Sequence, residues 1–299
     1  MEFCSYFIKD RALFGSFPTT ERVHELENNG VCYYVDLTCN DEVENPYITT
    51  YPIIKFTIED RKVPINIRLF CKCIIKIANV INSLKDNEKI YIHCRGGHGR
   101  AGLVVACLLC YLFNHSPDES IRMTGEFHSQ RKTMREKWRE IGSPQTRRQK
   151  SFIFKLFKPL YFYKAYRNGP AVGLSNLSEH PIELDIGIFG NSLAAYEAHR
   201  DLLDRAYIIQ LQNCSSYQAK MIGVKKNKLI LHKYEVMKHI LELKIKQNPT
   251  VKNTLIETGF RPIIYTYKYD EFWGLGINDN GQNMLGKLWI EIRSEFYKD

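Results

Sequence analysis

The sequence has no apolar run long enough to cross a bilayer. The longest, residues 103–113, is eleven residues. It also lacks a secretory start: MEFCSYFIKD has neither the charged opening nor the apolar stretch of a signal peptide. Eighteen Gly and eleven Pro in 299 residues are too few for collagen-like or low-complexity architecture. Nine cysteines are present, an odd number in no disulfide-framework spacing, and eight of them precede residue 111. Reduced thiols and an intracellular setting, cytoplasm or nucleus, are the expectation. Cys71-x-Cys73 has the wrong spacing for a zinc knuckle and falls on a predicted helix, so neither a metal nor another cofactor is expected.

What is present describes an ordinary globular protein: 44% hydrophobic, 25% charged and 12% aromatic residues. The length suggests about two domains. Net charge is +9, from 42 Lys and Arg against 33 Asp and Glu. It is concentrated: residues 122–158 hold eleven basic residues against three Glu. This segment reads either as a solvated helix face or as a rim attracting an anionic partner such as phosphoprotein, RNA or phosphoinositide.

The first half alternates strand and helix signals. Residues 31–37 (VCYYVDL), 53–58 and 89–93 (KIYIH) read as strands. Thr20 can cap a helix running to Asn28, and Pro64 suits the first position of a helix with apolar residues at Ile67, Cys71, Ile74, Ala78 and Ile81. Ser116 and Glu119 have capping-box spacing. The prediction is an α/β domain, its mostly parallel sheet flanked by helices. The texture changes near Lys158-Pro159, dividing the chain into domains 1–158 and 159–299. The second half opens with residues 161–176. Helix signals follow at 192–211, 232–247 and 249–258, then a short strand at 262–266 and a helix from about Asn283, a helix-rich α+β domain.

The densest chemistry lies at His93-Cys94-Arg95-Gly96-Gly97-His98-Gly99-Arg100-Ala101-Gly102, between a predicted strand and a predicted helix. A glycine-rich loop at a helix N-terminus turns its backbone N–H groups toward one spot and binds an anion. Gly96, Gly97 and Gly99 allow the tight curvature, and Arg100 supplies a bidentate donor for phosphate oxygens. The same dipoles favour the thiolate of Cys94, placing a nucleophile at the base of an anion trap. The structural alternative is a buried cysteine beside a glycine turn.

This stretch resembles the cysteine-based protein tyrosine phosphatases, in particular the compact dual-specificity group, whose signature is His-Cys, five residues, then Arg. Rhodanese-type sulfurtransferases generally use a shorter loop. The resemblance implies Cys94 as nucleophile, Arg95 to Arg100 as the phosphate-binding loop, and an acid followed by proline on an upstream loop. Glu59-Asp60-Arg61-Lys62-Val63-Pro64 has that form, with Asp60 as general acid ahead of Glu59. It also implies a glutamine orienting the hydrolytic water, Gln149 rather than Gln145. His93 would support the loop and His98 would shape its rim. The family usually has Ser or Thr after the arginine. Ala101 stands there, which implies slow breakdown of a phosphocysteine. The substrates implied are phosphotyrosine proteins, with phosphoserine/threonine proteins, RNA 5′-phosphates and phosphoinositides also open. A slow phospho-binding scaffold is the non-enzymatic alternative.

Fragments of the second half resemble the NADAR family, whose relatives act as N-glycosidases. They include Gly173-Leu174-Ser175-Asn176, Ala219-Lys220 with Gly223, Gln247-Asn248-Pro249, Thr258-Gly259, Asp270-x-x-Trp273-Gly274-x-Gly276, and Asn283-x-Leu285-Gly286-Lys287-Leu288 with Glu291 and Arg293. The resemblance implies a second site including Asp270, Trp273, Asn283 and Lys287, binding a nucleotide-like ligand. The family's glutamate position holds Leu193, while Glu197 lies one residue past Tyr196. Binding without cleavage is the expectation.

Overall fold

The computed structural model describes residues 1–164 and 169–298; positions 165–168, inside the segment that opens the second half, and position 299 lie outside the described residues. The chain divides into two compact units, Met1–Lys158 and Pro159–Lys298.

In the first unit the elements follow in the order β1 (Cys4–Ile8), β2 (Ala12–Ser16), α1 (Thr20–Asn28), β3 (Val31–Asp36), β4 (Ile53–Lys55), α2 (Ile67–Ser83), β5 (Lys89–Cys94), α3 (Arg100–Phe113), α4 (Pro117–Ser129), α5 (Glu136–Ile141) and α6 (Arg147–Phe157). One five-stranded sheet has the order β1-β2-β5-β3-β4. Only the β1–β2 pair is antiparallel. Ile90 to Cys94 are all buried, so the central strand is covered on both faces. On one face Val23 and Leu26 of α1 join Leu13, Tyr34 and Tyr91 in a core cluster. Helices α2 and α3 pack on β5 and on each other. Because β5 sits between parallel neighbours, its carboxyl end opens where an α/β sheet ordinarily holds a ligand.

Three details differ from the sequence reading. The strand predicted at 53–58 stops at Lys55, because β3, its only partner, ends at Asp36. Asp36 Oδ1 accepts from the Thr38 amide (2.8 Å), and beyond Lys55 the chain keeps only isolated bonds, the Phe56 and Ile58 amides donating to Asp36 O (3.0 Å) and Leu37 O (3.2 Å). Pro64 is not a first helical residue. Asn66 caps α2, its side chain accepting from the Leu69 amide (3.0 Å). Thr19, not Thr20, caps α1.

The second unit contains β6 (Leu160–Phe162), β7 (Ile182–Leu184), β8 (Gly187–Phe189), α7 (Ser192–Ala198), α8 (Arg205–Gln212), α9 (Ser216–Lys226), α10 (Lys233–Gln247), α11 (Pro249–Glu257), β9 (Ile263–Tyr265) and α12 (Met284–Glu295). Two short sheets, parallel β6–β9 and antiparallel β7–β8, are surrounded by helices. The helix expected at 192–211 is two helices. Asp204 caps the second by accepting from the Tyr207 amide (3.0 Å), and the intervening Leu203 is almost fully exposed. No helix among the described residues is long and apolar enough to cross a membrane.

Candidate active site and a second cavity

β5 ends at Cys94 and α3 begins at Arg100, so the chain must reverse within residues 95–99. Gly97 makes this possible. Its φ is +74°, and a Cβ there would lie 2.3 Å from the Gly15 carbonyl carbon. Conformation and contact each exclude a side chain. The loop is fastened to the end of β2. The Phe17 amide donates to Arg95 O (3.1 Å), and the Tyr91 hydroxyl donates to Ser16 O (2.6 Å). The start of α3 has no side-chain cap. A helix start without such a cap suits an anion, and the buried Cys94 lies at the strand end that meets the loop.

Arg100 is 1% exposed. One Nη donates to Glu42 Oε2 (2.6 Å) and Ile58 O (3.0 Å). The other donates to Glu42 Oε1 and lies 3.2 Å from Asp60 Oδ1. Burial works against the charge, but the Glu42 hydrogen bonds overcome it and raise the guanidinium pKa above its usual value. The same bonds hold the Glu42 carboxyl below the usual carboxylate range. Arg100 Nε is buried and has no hydrogen-bond partner among the described residues. A charged N–H left in this state is costly unless an anion completes it.

The turn carrying Asp60 brings its exposed carboxylate to Arg100. Glu59 is exposed. Gln149, buried in the first turn of α6, forms a reciprocal cap with Thr146 and donates to Lys62 O (3.3 Å). It joins α6 to the segment following Asp60. A Cβ on Gly99 would meet both Gln149 and Gln145, so the two glutamines adjoin the loop. His93 is wholly buried beneath it, with Nε2 2.9 Å from the Tyr47 hydroxyl. Burial pulls its pKa down to about 4, against the opposing charge of Asp36, so it is neutral at pH 7. His98 Nδ1 lies 2.8 Å from His128 Nε2, and its ring stacks on Trp138. Ala101, behind Arg100, is fully buried.

Two supporting residues escaped the sequence reading. Glu42 and Arg131 carry no local motif, since their loop partners lie 58 and 34 positions away. Arg131, 3% exposed, donates to Gly97 O (2.8 Å) and Phe14 O (3.1 Å). Burial lowers its pKa to about 10, leaving it charged at neutral pH. The basic segment 122–158 is accordingly no uniform rim. Arg131 points inward, Arg122 pairs with Glu119 and Glu126, and Arg139 donates to the Arg131 carbonyl (2.9 Å).

In the second unit a cavity of about 400 Å³ is lined by aromatic side chains. Tyr163 and Tyr267 stack at 5.2 Å, and Tyr196 meets Trp273 edge-on. Lys220, Glu197, Asn176, Asp270 and Leu193 also line it. Asp270 Oδ1 accepts from the Phe272 (2.9 Å) and Trp273 (2.8 Å) amides, which positions the indole. Glu197 is paired with Arg200, and burial raises its pKa. The structure separates the expected site residues. Asp270 and Trp273 line the cavity; Asn283 and Lys287 do not. Asn283 instead accepts from the Tyr265 amide (2.9 Å) and donates to Ile263 O (2.9 Å), fastening α12 to β9. Lys287 is exposed on α12. Among the described residues no group of three or more His, Cys, Asp or Glu could hold a metal ion.

Residues 1–153 match the family described as Swiss Army Knife protein, DSP-PTPase phosphatase domain. The chain is 32% identical over 308 residues to "Putative tyrosine phosphatase 197R" of Invertebrate iridescent virus 6, an alignment covering 99% of this chain and 96% of that protein. The chain belongs to the dual-specificity protein tyrosine phosphatase family. A second similar protein is "Putative tyrosine phosphatase 067L" of Invertebrate iridescent virus 3, 37% identical over 52% of this chain and 66% of that one. The phosphatase also carries a NADAR domain, matched at residues 161–297. That half is similar to N-glycosidase R617 of Acanthamoeba polyphaga mimivirus, 27% identical over 46% of this chain and 96% of the other.

Proposed function

We propose that residues 1–158 form a domain that hydrolyses phosphotyrosine, and phosphoserine or phosphothreonine where the cleft admits them, through a phosphocysteine. The observation that carries this reading is the buried, unpartnered Nε of Arg100 on the residue that closes the Cys94 loop. The Cys94 thiolate attacks phosphorus, the S–P bond forms and the P–O bond breaks. Asp60 gives its proton to the leaving oxygen. The arriving phosphate takes the place of the Asp60 carboxylate on Arg100, and that carboxyl then faces the leaving group. Loop amides and Arg100 stabilise the equatorial oxygens. In the second displacement, water placed by Gln149 loses its proton to Asp60 as its oxygen attacks phosphorus, the new O–P bond forms, the S–P bond breaks to return the Cys94 thiolate, and inorganic phosphate departs. The nine cysteines, none of them joined in a disulfide, suit a reducing compartment, the cytoplasm or nucleus.

The test is release of phenolate from an aryl phosphate. Wild type should turn over and Cys94→Ser should not. Asp60→Ala should slow poor leaving groups far more than good ones; equal loss on both would remove it as the acid.

A second reading rests on Ala101. With no hydroxyl to assist departure of the thiolate, phosphocysteine would accumulate and the domain would act as a phosphate trap. Ala101→Ser should then speed the steady state and leave any initial burst unchanged; an unchanged steady state would discard this reading. An RNA 5′-phosphatase role finds less support, since the basic segment spends several of its cations on internal partners. For residues 159–299 the aromatic cavity supports retention of a nucleotide-like ligand such as ADP-ribose. Leu193 in its wall offers no acid or base for cleavage.

A further inference from the structure

Helix α9 forms a wall between two spaces of the second unit. Tyr217 and Lys220 line the aromatic cavity, while Met221, Ile222 and Lys225 line a groove of about 820 Å³ shared with α8. Side chains four positions apart share a helix face, so Tyr217 leads along the groove to Met221 and Lys225. Tyr217 itself lines both spaces and is 75% exposed. The cavity and the groove therefore meet at one solvent-facing ring. From α8 the groove receives Ile209, which like Met221 is apolar yet exposed. The charges of the groove nearly cancel. Lys226 is paired with Asp201 (2.8 Å) and with Asp204 (2.6 Å), and Asp204 also lines the groove. Among the described lining residues this leaves the charge of Lys225.

We infer that the groove receives apolar side chains of a polypeptide to which the nucleotide-like ligand is attached, so that the second unit recognises a modified protein. The inference rests on the proposed occupant of the cavity. A space of about 400 Å³ suits one small-molecule group. Whatever carries that group continues beyond the cavity, and the groove begins at the residue on its border. Solvent-facing Ile209 and Met221 are stabilised when apolar side chains cover them. A polynucleotide would find little to hold there. Phosphodiester backbones draw their affinity from several cations at once, and Lys226 is already engaged by two carboxylates. An extended chain advances at most about 3.6 Å per residue, so the side chains that reach the groove lie within a few positions of the modified one.

The experiment is calorimetric titration of the full-length chain with four probes. They are free ADP-ribose, a peptide with ADP-ribose on a central serine and leucines two and three positions to each side, the same peptide with serines in place of those leucines, and a single-stranded oligonucleotide ending in ADP-ribose. The leucine peptide should bind at least about tenfold tighter than free ADP-ribose and than the serine peptide. With Ile209→Glu and Met221→Glu together, that advantage should fall below about threefold. Free ADP-ribose should bind the double variant within about twofold of wild type, since neither side chain lines the cavity, and that result also shows the variant to be folded. Should the double variant not fold, the wild-type contrast between the two peptides decides alone. Equal affinity for both peptides would overturn the inference, as would a leucine advantage that survives the two changes in a folded variant. So would an oligonucleotide that outbinds the leucine peptide. If free ADP-ribose binds and the leucines add nothing, the cavity keeps its ligand and the groove loses its role. If none of the four probes binds, the reading of the cavity fails and the inference falls with it.

Discussion

Arg100 is held by a carboxylate that no sequence pattern announced. Glu42 receives two of its N–H groups and fixes the plane in which the remaining donor points. Removing one partner of a buried charge-assisted pair costs about 1.5–3 kcal/mol. Glu42→Gln should therefore lower kcat/KM on an aryl phosphate by about tenfold to a hundredfold, with a parallel loss of vanadate affinity; unchanged kinetics would show that the pair is dispensable. His93 supplies a pH dependence. Its folded-state pKa, about 4, lies below the ordinary value of about 6.5. Between those limits the unfolded chain binds a proton at this residue and the folded one does not. Stability is complete above about pH 6.5 and declines as pH falls toward 4, by about 2–3 kcal/mol for this group. Urea unfolding should show that slope, and His93→Asn should reduce it by one proton. Cys94, the glycines and Arg100 could be read from sequence because they are contiguous and their spacing encodes their geometry. Glu42 and Arg131 could not, because each joins the site only through the fold.

Among the elements, the turn from β5 to α3 depends most on a single residue. Gly97→Ala would place a methyl group against the Gly15 backbone and force a positive φ on a residue that resists it. The left-handed strain alone costs about 1–3 kcal/mol. We expect activity at least about tenfold below wild type while the sheet and its far-ultraviolet circular dichroism persist; full activity would mean that the loop can relocate. The sequence conveyed these elements unevenly. β5 and α3 carry continuous apolar patterns and were legible. β1 and β2 were not, because their alternation is short and their partners come later in the chain. The helix read across 192–211 shows the limit of periodicity: local apolar content continues, but the Asp204 cap starts a new helix. Gln149 sits on a helix as expected, yet the cap it completes and its bond to Lys62 depend on neighbours that spacing alone does not identify.

At the scale of the molecule, one core cluster draws all its members from the second unit, Leu160 through Ile292. Residues 1–158 expressed alone should fold and retain kcat/KM on an aryl phosphate within about twofold of the full chain. Residues 159–299 alone should show the same ADP-ribose-induced rise in melting temperature as the full chain, or both should show none. A fragment that precipitates or loses activity would reveal a mutual dependence. The chain divides into its compact units at Lys158 and Pro159, where the sequence texture changes. The division of labour among the NADAR-like fragments was not legible in the sequence, since Asn283, Thr258 and Arg293 bind backbone or one another rather than the cavity.

Separate cores also bear on inheritance. A premature stop early in the second half would remove the aromatic chamber and leave the cysteine loop intact, whereas damage at Gly97 would silence the loop and spare the chamber. Genomes carrying a broken copy of this gene should therefore lose its two capacities one at a time.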